Sequence, residues 1–220
     1  MIHMRIRMSK AVDALRDSHA DFNRNHQPID FLDPMEGFNR WFDEAVTGKH
    51  IEPNAMTLST VNAYGIPSAR LVYLKALTEG TFVFYTNYLS QKGKDLMGNP
   101  HASLLFFWPA LERQIRITGT VAHINPEESD AYFASRPRES QLGAWASQQS
   151  EALGTEEELL ARFEVYDQQF PDEVPRPPHW GGMALTPDYM EFWQGKPSRL
   201  HERLCFERVE KGWERSRKNP

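Results

Sequence analysis

Three short patterns in the chain set cations and hydroxyls where they can grip an anion. Arg199, His201 and Arg203 alternate directly after a Gly195-Lys196-Pro197 turn. Residues two apart on a strand share a face, so this spacing directs all three one way and Leu200 into the core. Two arginines and a histidine on one face repel one another unless an anion or a carboxylate lies against them; the competing reading is a solvent-facing rim strand. Tyr132, Arg136 and Ser140 recur every four residues, which on a helix puts a phenol, a guanidinium and a hydroxyl in one stripe. Such a set suits a phosphate, because the guanidinium offers a fork of donors and each hydroxyl adds one. Pro137 ends or restarts that helix, and a solvated helix end is the alternative. Arg70 and Lys75 bracket Leu71-Val72-Tyr73-Leu74 on a strand. Their odd separation points them to opposite faces, where they serve two different anions or snorkel at the strand ends.

Other chemistries lack their motifs. There is no Gly-x-Gly-x-x-Gly after a strand, no phosphate loop ending in Gly-Lys-Ser/Thr and no Gly-x-Ser-x-Gly elbow. The eight histidines form no helical pair at metal-ligand spacing, so no metal is expected. Cys205 is the one cysteine, which excludes an internal disulfide and a multi-cysteine zinc site and suits a reduced, cytoplasmic setting. On a strand, Cys205 and His201 would stand about 13 Å apart, at ~3.3 Å per residue. A buried small hydrophobe is therefore the better reading of that cysteine.

The elements that must position these residues follow from periodicity. Residues 1–32 are polar and irregular and read as a mobile arm, with a short helix near Ser9–Asp17; residues 33–220 form one domain. Asp33, Pro34 and Glu36 open a helix whose apolar face is Met35, Phe38, Trp41, Phe42, Ala45 and Val46. From Ala55 the period becomes two. Strands are expected over Ala55–Ala63, Pro67–Leu77, Thr81–Asn87, Ala102–Trp108 and Arg113–Ile124, with a Ser90-capped helix to Met97 between the third and fourth. Asn125 and Thr155 start helices reaching about Ser135 and Phe170. Three short strands follow near Met183–Leu185, Tyr189–Gln194 and Arg203–Val209. Short strands in hairpin succession with helices outside them argue for an α+β antiparallel barrel with peripheral helices; a two-layer sandwich is the alternative.

Charge narrows the partners. The chain of 220 residues carries 25 Lys plus Arg against 30 Asp plus Glu, a formal charge of −5. Residues 68–140 hold eight basic and seven acidic side chains, so the centre is nearly neutral inside acidic flanks. That disfavours general nucleic-acid binding and leaves room for a local pocket for a small anion. Mean hydropathy is −0.61, no apolar run nears the ~20 residues of a membrane helix, and Met1–Lys10 lacks a signal-peptide core.

Taken in order, seven segments resemble the FMN-dependent pyridoxine (pyridoxamine) 5′-phosphate oxidases. They are Arg70-Leu71-Val72-Tyr73-Leu74-Lys75, Phe84-Tyr85-Thr86-Asn87, Leu111-Glu112-Arg113-Gln114, Tyr132-Phe133-Ala134-Ser135-Arg136-Pro137-Arg138, Gly143-Ala144-Trp145-Ala146-Ser147, Glu191-Phe192-Trp193-Gln194-Gly195 and Arg199-Leu200-His201. The resemblance implies an antiparallel split β-barrel, a homodimer, and FMN in clefts where two subunits meet. It also implies oxidation of a phosphorylated B6 vitamer to pyridoxal 5′-phosphate, a step of vitamin B6 supply, with O2 reduced to H2O2. Carried over by position, it assigns FMN contacts to Arg70, Lys75, Tyr85, Thr86, Lys92, Gln114, Gln149, Ser150, Trp193 and Arg203. Substrate contacts fall on Lys75, Tyr132, Arg136, Ser140, Arg199 and His201, with Arg199 and His201 aligning the ring for hydride transfer.

The chain departs from the family pattern at Ser90-Gln91-Lys92, where Ser-Arg-Lys is common, so a neutral amide replaces one phosphate cation. Only part of the usual arm motif survives in Leu15-Arg16-Asp17-Ser18-His19, and the end reads Arg217-Lys218-Asn219-Pro220. Two other readings compete. One is a related split-barrel flavin oxidase acting on another ring system, of the phenazine type. The other is a non-catalytic flavin- or pyridoxal-phosphate-binding protein, against which the retention of both Arg199 and His201 argues.

Overall fold

The computed structural model describes residues 21–22 and 26–220; the short helix expected near 9–17 lies outside them. Helix α1 spans Pro34–Thr47. Asp33 starts it by accepting from the backbone N–H groups of Met35 and Glu36, which would otherwise lack partners. Its inner face is Phe38, Trp41 and Ala45, whereas Val46 is exposed. The helix ends one residue after Val46, past the reach of the core. Of the residues before it, Ile29 and Phe31 are also core residues. Arg217 and Arg215 donate to their carbonyls.

Nine strands follow: β1 (Ala55–Val61), β2 (Pro67–Tyr73), β3 (Ala76–Thr78), β4 (Thr81–Asn87), β5 (His101–Trp108), β6 (Arg113–His123), β7 (Trp180–Gln194), β8 (Glu202–Val209) and β9 (Gly212–Arg217). All pair antiparallel in one sheet of order β2-β1-β5-β6-β7-β4-β3, with β8 on β7 and β9 on β8. Four further helices lie among them: α2 (Gln91–Gly98), α3 (Pro126–Ala134), α4 (Arg138–Ala146) and α5 (Glu156–Gln169). Ser90, Asn125 and Thr155 cap α2, α3 and α5.

Strand β7 makes the sheet curl. One edge pairs with β6 along its length, while the other pairs with β4 over its first half and with β8 over its second. At its middle the register slips, with Thr118 opposite Tyr189 but Gly119 opposite Pro187. This bulge moves the buried set from Met183 and Leu185 to Met190 and Phe192. A Cβ on Gly119 would sit 2.0 Å from the Thr186 carbonyl oxygen, so the bulge needs glycine there. The sequence expectation of two strands over 183–194 is thus corrected to one strand whose inward parity changes.

The main core is aromatic. Phe38 of α1 meets Phe82 of β4 and Phe106 of β5 edge-on, at 4.9 and 5.2 Å between centroids. A second cluster of Phe133, Leu142, Val174 and Trp180 lies under α3, α4 and α5. Two further corrections bear on the site. The strand expected over Pro67–Leu77 breaks after Tyr73, and Arg199 lies in a short 3-10 turn, Pro197–Arg199, before β8 begins. Ser198 and Arg199 there take left-handed φ of 57° and 59°, so strand alternation does not reach Arg199, and Leu200 is exposed instead of lying in the core.

Candidate functional site

A cleft of about 790 Å³ opens between β2, β4, α2, α3 and α4. It gathers ten sequence-identified residues: Arg70, Lys75, Tyr85, Thr86, Lys92, Tyr132, Arg136, Ser140, Gln149 and Ser150.

Arg70 and Lys75 share this cleft, contrary to the opposite faces expected from their odd separation. The chain changes partners between them: the Leu74 N–H donates to the Asn54 carbonyl beside β1, and the Lys75 N–H to the Val83 carbonyl of β4. The break resets parity, which a regular strand would have kept. Arg70 is braced from behind, donating to the Leu58 carbonyl at 3.1 Å, Thr60 Oγ1 at 2.8 Å and Ser68 Oγ at 2.5 Å. Beneath it lies Asp95, buried and 4.0 Å from the guanidinium. Burial works to raise the Asp95 carboxyl. Hydrogen bonds from Thr60, Gln91 and Ser68, with the Arg70 charge, nevertheless hold it below the usual carboxylate range. Gln91 thus lines the cleft with its amide donating to Asp95 Oδ1 at 2.7 Å.

Lys92 is buried on the cleft wall, with Nζ 3.2 Å from Ser90 Oγ and 3.0 Å from Gln149 Oε1. Burial, and then the neighbouring Arg70 charge, bring it down to about 8.

Tyr132, Arg136 and Ser140 also converge, but from α3, the link after it and α4 rather than from one helix. Helix α3 ends at Ala134 and Pro137 immediately precedes α4, and the junction is held by Gln141 Nε2 donating to the Phe133 carbonyl at 2.9 Å. The Arg136 guanidinium lies 4.5 Å over the Trp180 ring. Its Nη1 is buried without a hydrogen-bond partner among the described residues, and burial lowers its ordinarily very high pKa. A buried, unpaired guanidinium nitrogen is costly, so the cleft suits an anion. Trp180 and Asp95 were missed in the sequence; the Trp180-Gly181-Gly182 run was the one local signal for the first.

The other five residues do not line this cleft. Gln114, Trp193 and Arg203 stand opposite one another on β6, β7 and β8, hence on one face. Arg203 donates through Nε and Nη2 to the buried Glu191 carboxylate at 3.0 and 2.9 Å, and Arg116 donates to the same carboxylate at 2.7 Å. His201 packs 4.7 Å from the Trp193 ring and accepts at Nδ1 from the Lys196 N–H. Arg199 is exposed beside them.

A curled antiparallel sheet carrying a cation-lined cleft defines a split-barrel protein whose cleft suits anions. The family described as pyridoxamine 5′-phosphate oxidase matches residues 42–170, and a pyridoxine 5′-phosphate oxidase C-terminal dimerisation region matches residues 180–220. Pyridoxine/pyridoxamine 5′-phosphate oxidases of Paraburkholderia phymatum and Bordetella avium are 53% and 55% identical. The alignments cover 85% of this chain and 91% and 89% of theirs. The crystal structure of PhzG from Burkholderia lata, in complex with tetrahydrophenazine-1-carboxylic acid, matches with a TM-score of 0.81 at 30% identity over 86% of this chain and 93% of that one. A pyridoxamine 5′-phosphate oxidase-related, FMN binding protein from Nostoc punctiforme shares the fold, with a TM-score of 0.70, at 18% identity over 87% and 100% of the two chains. The chain belongs to the pyridoxamine 5′-phosphate oxidase family. Among the described residues, no helix is long and apolar enough to cross a membrane.

Proposed function

We propose that the chain oxidises pyridoxamine or pyridoxine 5′-phosphate to pyridoxal 5′-phosphate, with FMN as cofactor and O2 as final acceptor. The observation that carries this reading is the cleft itself: four cations, Arg70, Lys75, Lys92 and Arg136, line it, and Nη1 of the last has no hydrogen-bond partner among the described residues. The residues present fit two phosphates, one from FMN and one from the substrate. Arg70, Lys75, Tyr85, Thr86, Lys92, Gln149 and Ser150 would hold the cofactor, and Tyr132, Arg136, Ser140 and Lys75 the substrate phosphate. The chemistry that bound FMN supplies is two-electron oxidation of the substrate, returned to O2 as H2O2.

The protein's part is binding and orientation. Charge-assisted hydrogen bonds are worth ~1.5–3 kcal/mol each, so three or four per phosphate fix a ligand. The Lys196 N–H at His201 Nδ1 places the proton of a neutral imidazole on Nε2. Arg199 and His201 are the groups proposed to align the substrate ring. With Gln114, Trp193 and Arg203, they lie off the cleft of their own chain, and four of the five fall within the dimerisation match. This supports a homodimer in which each cleft is completed by a second copy. Lys75 with Tyr132, Arg136 and Ser140 gathers two cations and two hydroxyls in the cleft, a set that suits a phosphate dianion better than a single carboxylate and so favours a B6 vitamer over a phenazine-type substrate. The reduced, cytoplasmic setting is part of the same proposal and rests on the lone, buried Cys205.

The test is to purify the protein, record its flavin spectrum and follow aldehyde formation from pyridoxamine 5′-phosphate. Bound flavin with aldehyde release is the expected result. Absence of flavin sinks the reading, and bound flavin without turnover favours a non-catalytic binder.

A further inference from the structure

Arg203 and Arg136 are held in opposite ways. Arg203 is fixed by the Glu191 carboxylate, which also offsets its charge. No carboxylate pairs with Arg136 among the described residues. Its guanidinium lies over two rings instead, 4.5 Å from the Trp180 centroid and 5.4 Å from that of Phe133. An aromatic face can fix a guanidinium without neutralising it, which a subsite for a dianion needs.

Trp180 is itself rigid. Pairing of Asn87 with Trp180 and of Thr86 with Gly181 ties it to β4. Its N–H donates to the Pro177 carbonyl, and its own carbonyl accepts from Arg176 Nη1 at 2.6 Å. The residue is 8% exposed, and its ring lies nearly parallel to Tyr132, at 4°, and to Tyr85, at 15°. Those two tyrosines stack at 3.9 Å.

We propose that Trp180 is a positioning residue of the substrate-phosphate subsite, its ring face fixing the Arg136 guanidinium while leaving the charge and Nη1 for the ligand. This rests on the functional reading above. The long, flexible arginine side chain would otherwise have to be ordered by the ligand, at a cost in affinity. Trp180 does not act on the reacting carbon, so its effect falls on binding rather than on turnover.

The test compares the FMN-loaded unsubstituted protein with Trp180→Leu and Trp180→Phe. Calorimetry reads affinity for pyridoxal 5′-phosphate, steady-state kinetics read KM and kcat for pyridoxamine 5′-phosphate, and fluorescence titration of the flavin-free protein reads the FMN Kd. A desolvated cation–π contact is worth enough that Trp180→Leu should weaken pyridoxal 5′-phosphate and raise KM about ten- to thirtyfold. Its kcat should stay within about twofold and its FMN Kd within about threefold. Trp180→Phe keeps a weaker ring face and should lose only about two- to threefold. Unchanged pyridoxal 5′-phosphate affinity in Trp180→Leu overturns the inference, as does an equal loss of FMN and pyridoxal 5′-phosphate that Phe does not rescue. Should the Leu variant fail to fold, Trp180→Phe decides, since affinity equal to the unsubstituted protein also overturns it. An unsubstituted protein that binds pyridoxal 5′-phosphate without oxidising pyridoxamine 5′-phosphate overturns the oxidase reading alone; one that binds neither overturns both.

Discussion

Lys92 Nζ lies 3.0 Å from Gln149 Oε1, joining α2 to the segment after α4 across the wall of the cleft. Burial and the nearby Arg70 bring this amine down to about 8. A phosphate dianion favours the charged amine, so binding above pH 8 must take up a proton. FMN affinity is therefore full below about pH 8 and falls as the pH rises through that value. Titrations at pH 7 and pH 9 should differ by about tenfold in Kd, one proton's worth. The difference should vanish in Lys92→Gln.

Arg136→Ala removes the guanidinium with the unpaired Nη1. Loss of one charge-assisted contact at ~1.5–3 kcal/mol should raise KM for pyridoxamine 5′-phosphate about 10- to 100-fold. FMN should remain bound with an unchanged spectrum. An unchanged KM would refute a role for Arg136 at the substrate phosphate.

The division of residues between the cleft and the β6–β8 face gives a mixing experiment. Arg136→Ala damages the first set and Arg199→Ala the second. In a dimer whose clefts each draw one set from either copy, a mixed dimer contains one intact cleft. Co-expression of the two variants should then recover roughly a quarter of unsubstituted activity from random pairing. If both sets served the same chain's cleft, no activity would return.

Local chemistry made much of this legible from the sequence. Asp33, Ser90, Asn125 and Thr155 each accept the backbone N–H they were expected to cap, because a cap is a contact two or three residues long. Thr81–Asn87 is a strand with the bounds read from its β-branched and aromatic run. The failures lie where tertiary structure resets a period. Lys75 follows a change of strand partner, β7 carries a bulge, and Ser198 and Arg199 take left-handed backbone that ends the alternation before β8. Strand β9 was not anticipated, and α4 only as a restart after Pro137: α4 begins without a side-chain cap to mark it, and β9 is largely exposed and carries no apolar period. Trp180 escaped because its partners Arg136, Tyr132 and Tyr85 lie far along the chain, where no spacing rule reaches.

The bulge in β7 depends on Gly119. A methyl group there meets backbone, not a flexible side chain, so Gly119→Ala should cost about 1–3 kcal/mol. A lower melting temperature checks this, and an unchanged one would show that the Thr186–Pro187 backbone can shift at no cost.

The functional reading is tested most directly by stoichiometry. FMN-loaded protein is mixed in air with pyridoxamine 5′-phosphate, and pyridoxal 5′-phosphate and peroxide are measured together. One H2O2 should form for each pyridoxal 5′-phosphate, with unphosphorylated pyridoxamine turned over far more slowly. Flavin that stays oxidised and yields no aldehyde from pyridoxamine 5′-phosphate or pyridoxine 5′-phosphate would contradict it.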